Sequence, residues 1–299
     1  MTAVLAPRPP AAARAAVPPP APDAWSVVST TSLMVCLVAG WMLVQLLYLG
    51  GLSHERAQDE LYQRFRGELA SGTAPIGPVT EVGAPVALLS VPHLGLREVV
   101  TEGTASGDLL DAPGHLRNTV LPGQLGTSAV FGRASTYGAP FARIGELRAG
   151  DRIEVTTAQG ETAFEVIGVR RAGDPLPQPR PDEAARLVLV SAESSGSRLP
   201  SLSPDRVVYV DAEAEKALPT PAGLPRVVPD PEQAMGTEAG AALPLLTLCL
   251  GLLLALTLGV VAARQRFGAG LVWVVTTPVV IAAAWLTTDV AMRLLPNLL

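Results

Sequence analysis

Residues 85–212 of this 299-residue sequence read as one small all-β barrel or sandwich, carried on a membrane by one apolar helix before it and two after it. Three observations lead there. Stretches of 30, 25 and 22 residues without a formal charge run from Ala24 to Ser53, from Ala239 to Ala263 and from Phe267 to Thr288. Each exceeds the ~20 residues a helix needs to cross a bilayer. Between them lie short runs of Val, Ile, Leu and Thr broken by Gly and Pro, the pattern of closely spaced strands: 87–91, 128–131, 152–156, 162–169, 186–191 and 206–210. Charged residues make up only 16% of the chain and the mean hydropathy is +0.35, against roughly 25% charged in soluble domains.

Taken in order, residues 1–23 hold seven prolines and many alanines, bury little, and predict a disordered cytoplasmic tail. The first span, 24–52, is too long for the apolar part of a cleaved signal peptide. Residues 53–84 predict a stalk helix and linker, with Leu61, Phe65 and Leu69 four residues apart among charged neighbours before glycine and proline take over. The β domain follows at 85–212, then a Pro-rich linker at 213–238. The second span (239–263), a tight turn (264–267) and the third span (268–292) form a helical hairpin in which Pro278 is expected to kink the second arm. Its small residues, such as Gly251, Gly259 and Ala282 to Ala284, permit close helix packing. Asp289 and Arg293, four apart near the outer interface, predict a self-paired couple.

Orientation follows from the flanking cations. Arg8 and Arg14 precede the first span, Arg264 and Arg266 lie between the other two, and three spans put both segments on one side. Cationic short flanks stay cytoplasmic, so the β domain is expected outside the plasma membrane of a multi-pass protein.

Composition excludes whole classes of chemistry. A net charge of −5 and a pI near 5.3 lack the basic excess that nucleic-acid binding needs. The two cysteines, Cys36 and Cys249, both fall inside apolar spans. The domain in water therefore has no disulfide, no cysteine-ligated metal and no thiol nucleophile, and no metal or other cofactor is expected.

Within the β domain, Pro113-Gly114-His115, Leu121-Pro122-Gly123-Gln124, Thr136-Tyr137-Gly138-Ala139-Pro140-Phe141 and Glu146-Leu147-Arg148-Ala149-Gly150-Asp151 follow one another in the order and spacing of a sortase domain. The stretch from Pro85 to Asp211 most resembles the class E, actinobacterial type. The resemblance implies an eight-stranded β-barrel and a cysteine transpeptidase that joins surface proteins to the cell wall, using Cys, His and Arg. Carried over residue by residue, however, the histidine position before the Tyr-Gly turn is Arg133. The cysteine position after Leu187-Val188-Leu189-Val190-Ser191 is Ala192. Only Arg206, before Val207-Val208, keeps the family residue.

Acyl transfer needs a nucleophile and a group that can protonate the leaving amine. Alanine supplies neither, and arginine holds its proton with a pKa above ~12. The expectation is a degenerate sortase, catalytically dead, acting by binding or assembly at the cell envelope. Candidate ligand contacts of its cleft are Arg133, Arg206, Tyr137 and Glu193. Either Glu193 or Asp205 neutralises Arg133 in a closed cleft, or Arg133 and Arg206 clamp a carboxylate of a peptide or wall fragment by bidentate contacts. Two other readings fit the same residues. One is an active transpeptidase or hydrolase using Ser191, Ser194, Ser195 or Ser197 with one of His54, His93 and His115, although Ser191 should face away from Ala192 on the strand. The other is a purely structural subunit of an envelope complex. Partners beyond a peptide or wall carboxylate are membrane lipid and a membrane protein met through the C-terminal helices.

Overall fold

The computed structural model describes residues 24–77, 79–193 and 206–299. The strands are β1 (Pro85–Val91), β2 (Leu96–Glu102), β3 (Gly114–His115), β4 (Gly126–Phe131), β5 (Arg152–Thr157), β6 (Gly160–Arg171), β7 (Ala185–Glu193) and β8 (Arg206–Ala214). They form a closed barrel in the order β1-β2-β3-β4-β7-β8-β6-β5, with β5 pairing back onto β1. The β2–β3 and β4–β7 pairs are parallel and the rest antiparallel. All six apolar runs are strands. The barrel adds β2, whose Arg97 and Glu98 dilute its apolar signal, and β3, only two residues long. Strand β8 runs to Ala214, past the boundary expected at 212.

Side chains alternate as a pleated, half-buried strand requires. On β6, Thr162, Phe164 and Val166 are buried while Glu161, Ala163 and Glu165 are exposed. The inward set, including Leu89, Ile153, Val155, Phe164, Leu187, Leu189 and Val210, fills the barrel. Strand β7 is buried on both faces: Val188, Val190 and Ala192 belong to a second apolar cluster with Leu109, Phe131 and Leu298. Fully burying a leucine such as Leu298 contributes roughly 1.5–3 kcal/mol.

Four helices frame the barrel. Helix α1 (Ala24–Val44) passes through one π-helical turn (Gln45–Leu49) into α2 (Gly50–Ser71), and α3 (Ala239–Arg266) is followed by α4 (Ala269–Met292), which runs on through Pro278. Val27–Val44, Ala239–Arg264 and Gly270–Met292 are long and apolar enough to cross a membrane. Met34 of α1 packs with Val260 and Val272 beside the α3–α4 turn. At the other end Gln45 reaches Trp285 and Asp289 of α4. The start of α1 and that turn therefore share one end of the bundle.

Two expected spacers are packed onto the barrel instead. Helix α2 is no free stalk: Gln58 exchanges hydrogen bonds with both backbone groups of Val99 on β2 (2.7 and 3.2 Å), and Phe65 is buried with Val99 and Ala74. The linker after β8 is equally fixed, because Arg117 Nε donates to Glu232 at 2.8 Å and Thr104 donates to the Glu232 carbonyl at 2.6 Å. Helix and linker are thus both fixed to the barrel rather than free of it.

Candidate functional site

Parallel pairing of β4 with β7, Phe131 opposite Val190, delivers Gly132 and Arg133 beside the end of β7. Gly132 donates its N–H to the Val190 carbonyl at 3.0 Å. Strand β8 pairs antiparallel to β7, with Ala192 opposite Val207 and Glu193 opposite Arg206. The three carried-over positions, 133, 192 and 206, thus meet at one end of the barrel. Close packing holds that end: a Cβ at Gly132 would collide with the ring of Phe141, whose N–H is bound to the Arg133 carbonyl at 3.0 Å.

Among the described residues, Arg133 is the largest fully buried side chain. Every nitrogen of its guanidinium is used. Nε donates to the Leu109 carbonyl (3.1 Å), Nη1 to Thr136 Oγ1 (3.0 Å) and the Leu299 backbone oxygen (3.3 Å), and Nη2 to the carbonyl and hydroxyl of Ser106 (2.7 and 3.0 Å). Tyr137 lies with its ring 5.8 Å from the guanidinium carbon. A buried charge is costly unless hydrogen-bonded on all sides, and burial lowers the Arg133 pKa to about 10, still leaving it protonated at neutral pH. Among the described residues no side-chain carboxylate forms an ion pair with it.

Both hydroxyls around Arg133 pass contacts onward to the end of α4 and the segment that follows it. Thr136 donates to the Leu299 oxygen at 2.6 Å and Ser106 to the Met292 carbonyl at 3.0 Å. Ala134 N–H binds the Leu298 carbonyl at 3.0 Å, and the buried Asn297 donates to the carbonyls of Thr104 (2.7 Å) and Gln233 (2.9 Å). Sequence reasoning missed residues 294–299 altogether. Leu-Leu-Pro-Asn-Leu-Leu carries no signal beyond its apolar character, and only the fold shows what it covers.

The other expected contacts sit elsewhere. Glu193 pairs with Arg171 (Nη2 to Oε2, 3.0 Å), not with Arg133; the two reach each other across the intervening strand β8, whereas Arg133 is fully buried. Asp205 lies outside the described residues. Arg206 is exposed, so the two arginines of the expected clamp do not share a surface. Tyr137 sits in the Thr-Tyr-Gly turn with φ of 49°, between Thr136 and Gly138, and is buried against the start of α2 and Leu46 of the π-helical turn before it. Burial, with the bond to Asp289, pushes its phenol well above the ordinary range. Asp289 is likewise not self-paired: its Oδ1 accepts from Tyr137 (2.6 Å) and Gln45 (2.9 Å) rather than from Arg293.

Among the described residues, the serine and histidine candidates are dispersed. Ser191 is buried on the inner side and donates to the Gly132 carbonyl at 2.9 Å. His115 is held between Glu102 and the Val120 carbonyl (both 2.9 Å), His54 faces Glu98 at 3.0 Å, and His93 lies 3.4 Å from Asp151. Ser194, Ser195 and Ser197 lie outside the described residues. Among the described residues no three His, Cys, Asp or Glu side chains stand close enough to hold a metal.

Residues 89–215 match the sortase domain family model. Sortase D of Bacillus subtilis (strain 168) is 29% identical over 87 residues, which is 29% of this chain and 42% of that protein, so the chain spans less than half of that relative. Among solved structures, a Clostridium perfringens sortase D5 transpeptidase is 20% identical at a TM-score of 0.42, covering 54% of this chain and 98% of that one. A mutant of sortase E from Streptomyces avermitilis is 26% identical at a TM-score of 0.37, covering 47% and 93%.

Proposed function

We propose, from the premise that residues 89–215 are a sortase domain, that this chain is a membrane-anchored, extracytoplasmic pseudosortase of the cell envelope. It acts by binding or assembly and not by transpeptidation. One observation carries the reading: Ala192 lies one residue before the end of β7, near a buried Arg133, at the positions where the family places cysteine and histidine, and both cysteines of the chain, Cys36 and Cys249, lie in helices long and apolar enough to span a membrane. A methyl group forms no acyl-enzyme, and a guanidinium locked by five oxygens donates hydrogen bonds without exchanging protons. Of the two arginines, Arg206 is the one placed to meet the carboxylate of a peptide or wall fragment.

The test is catalytic silence of the full chain in detergent with sorting-signal peptides and an amine acceptor. Cleavage and ligation are expected to stay at the no-protein level. Turnover that vanishes on Ser194→Ala or Ser195→Ala would replace this reading with a serine enzyme.

A further inference from the structure

The barrel end that gathers positions 133, 192 and 206 is filled by the chain itself. Leu298 and Asn297 are fully buried there and Leu299 nearly so. Leu298 shares its apolar cluster with Leu109, Phe131, Val188, Val190 and Ala192. The backbone around it is read by fixed donors: Ala134 N–H on the Leu298 carbonyl, and Arg133 Nη1 with Thr136 Oγ1 on the Leu299 oxygen. An apolar pocket for one side chain, flanked by donors that read main-chain oxygens, is how a peptide segment is recognised. Alanine at 192 adds to this pocket a small apolar wall, and arginine at 133 adds a multi-armed donor.

We propose that this end of the barrel is a peptide socket whose occupant is residues 293–299 of the same chain, a leucine-bearing segment inserted at Leu298. The socket keeps external peptides out of the cleft and fixes the barrel on α4, from which the segment directly continues. Tethering makes the segment a strong competitor, since attachment to α4 raises its effective concentration to the order of millimolar. The proposal deepens the pseudosortase reading and takes the location of the cleft from it. Its test reads thiol accessibility and no turnover, so the two can fail separately.

With Cys36 and Cys249 replaced by serine, Ala192→Cys places one thiol in the socket wall of the full chain in detergent. Maleimide is expected to label it at least a hundredfold more slowly than a Leu176→Cys control on the exposed β6–β7 connection. Adding Leu298→Ala should raise the Ala192→Cys rate at least tenfold, and Thr136→Val, which removes a bond to Leu299 while keeping its size, should raise it severalfold. A synthetic peptide of residues 293–299, at millimolar concentration, should slow labelling of the Leu298→Ala protein again, and the same peptide with aspartate in place of its penultimate leucine should not. Should Leu298→Ala fail to fold, the Thr136→Val rate and the peptide's effect on it decide the matter. Rapid labelling of Ala192→Cys in the unaltered tail, or a rate indifferent to both tail variants and to the peptide, overturns the socket.

Discussion

Tyr137 Oη donates to Asp289 Oδ1 at 2.6 Å, and this bond ties the Thr-Tyr-Gly turn of the barrel to the last membrane-length helix. The same carboxylate oxygen accepts from Gln45 in the π-helical turn that joins α1 to α2. One acidic side chain therefore gathers all three parts of the molecule: the first helix, the last helix and the barrel.

Tyr137→Phe should loosen that junction. The ring stays, while Asp289 loses a charge-assisted bond, worth about 1.5–3 kcal/mol. A lower midpoint of thermal unfolding in detergent is expected, and a double-mutant cycle with Asp289→Asn should show strong non-additivity. Additive effects would mean the two residues act independently.

The helix order makes a prediction for intact cells. In the thiol-free background, a membrane-impermeant maleimide should label Leu176→Cys on the barrel and spare Gln265→Cys in the turn between α3 and α4. The reverse pattern would invert the orientation read from Arg264 and Arg266.

The barrel was legible because its strands alternate and its turn motifs sit between them: Phe164 and Val166 among exposed neighbours on β6 need no context to be read. Arg133 stood out in the sequence because the resemblance puts a histidine at its position, yet its partners were not legible. The acceptors are main-chain oxygens of Ser106, Leu109 and Leu299, and carbonyl oxygens are the same in every sequence. Asp289 failed for a related reason. Its spacing to Arg293 suggests a local pair, but burial at the junction favours partners that can be desolvated cheaply, and a phenol and an amide meet that need better than a guanidinium reaching toward water.

Acidification should stabilise the junction between barrel and helices through Asp108. Burial raises its pKa to about 6 from 3.8, helped by Glu238 and Glu232 and opposed by the Ala105 N–H and Arg293. Because the folded pKa lies above the unfolded one, the folded state binds more protons between these values. This contribution to stability therefore grows as pH falls through about 6 and is complete below the unfolded value. It amounts to at most about 3 kcal/mol by the usual 1.36 kcal/mol per unit. Asp108→Asn should flatten the unfolding midpoint between neutral pH and pH ~5; an unchanged profile would assign the dependence to other groups.

Placing the histidine and cysteine that the resemblance expects at positions 133 and 192 should not produce an enzyme. Arg133→His with Ala192→Cys returns an imidazole and a thiol to their positions, but an imidazole has two nitrogens where five oxygens now converge. Each buried acceptor left without its donor costs about 1–3 kcal/mol, so the double variant should unfold at distinctly lower temperature than the native chain. Arg133→Lys keeps the charge and loses the fork, and should fall between the two. The thiol itself should stay silent toward sorting-signal peptides while Leu298 fills the socket. Adding Leu298→Ala is the arm that separates the causes: activity appearing only in the triple variant would mean that the chain's own segment, and not merely the missing groups, closes this cleft. Activity in the double variant with Leu298 intact would show that peptide enters past the tail.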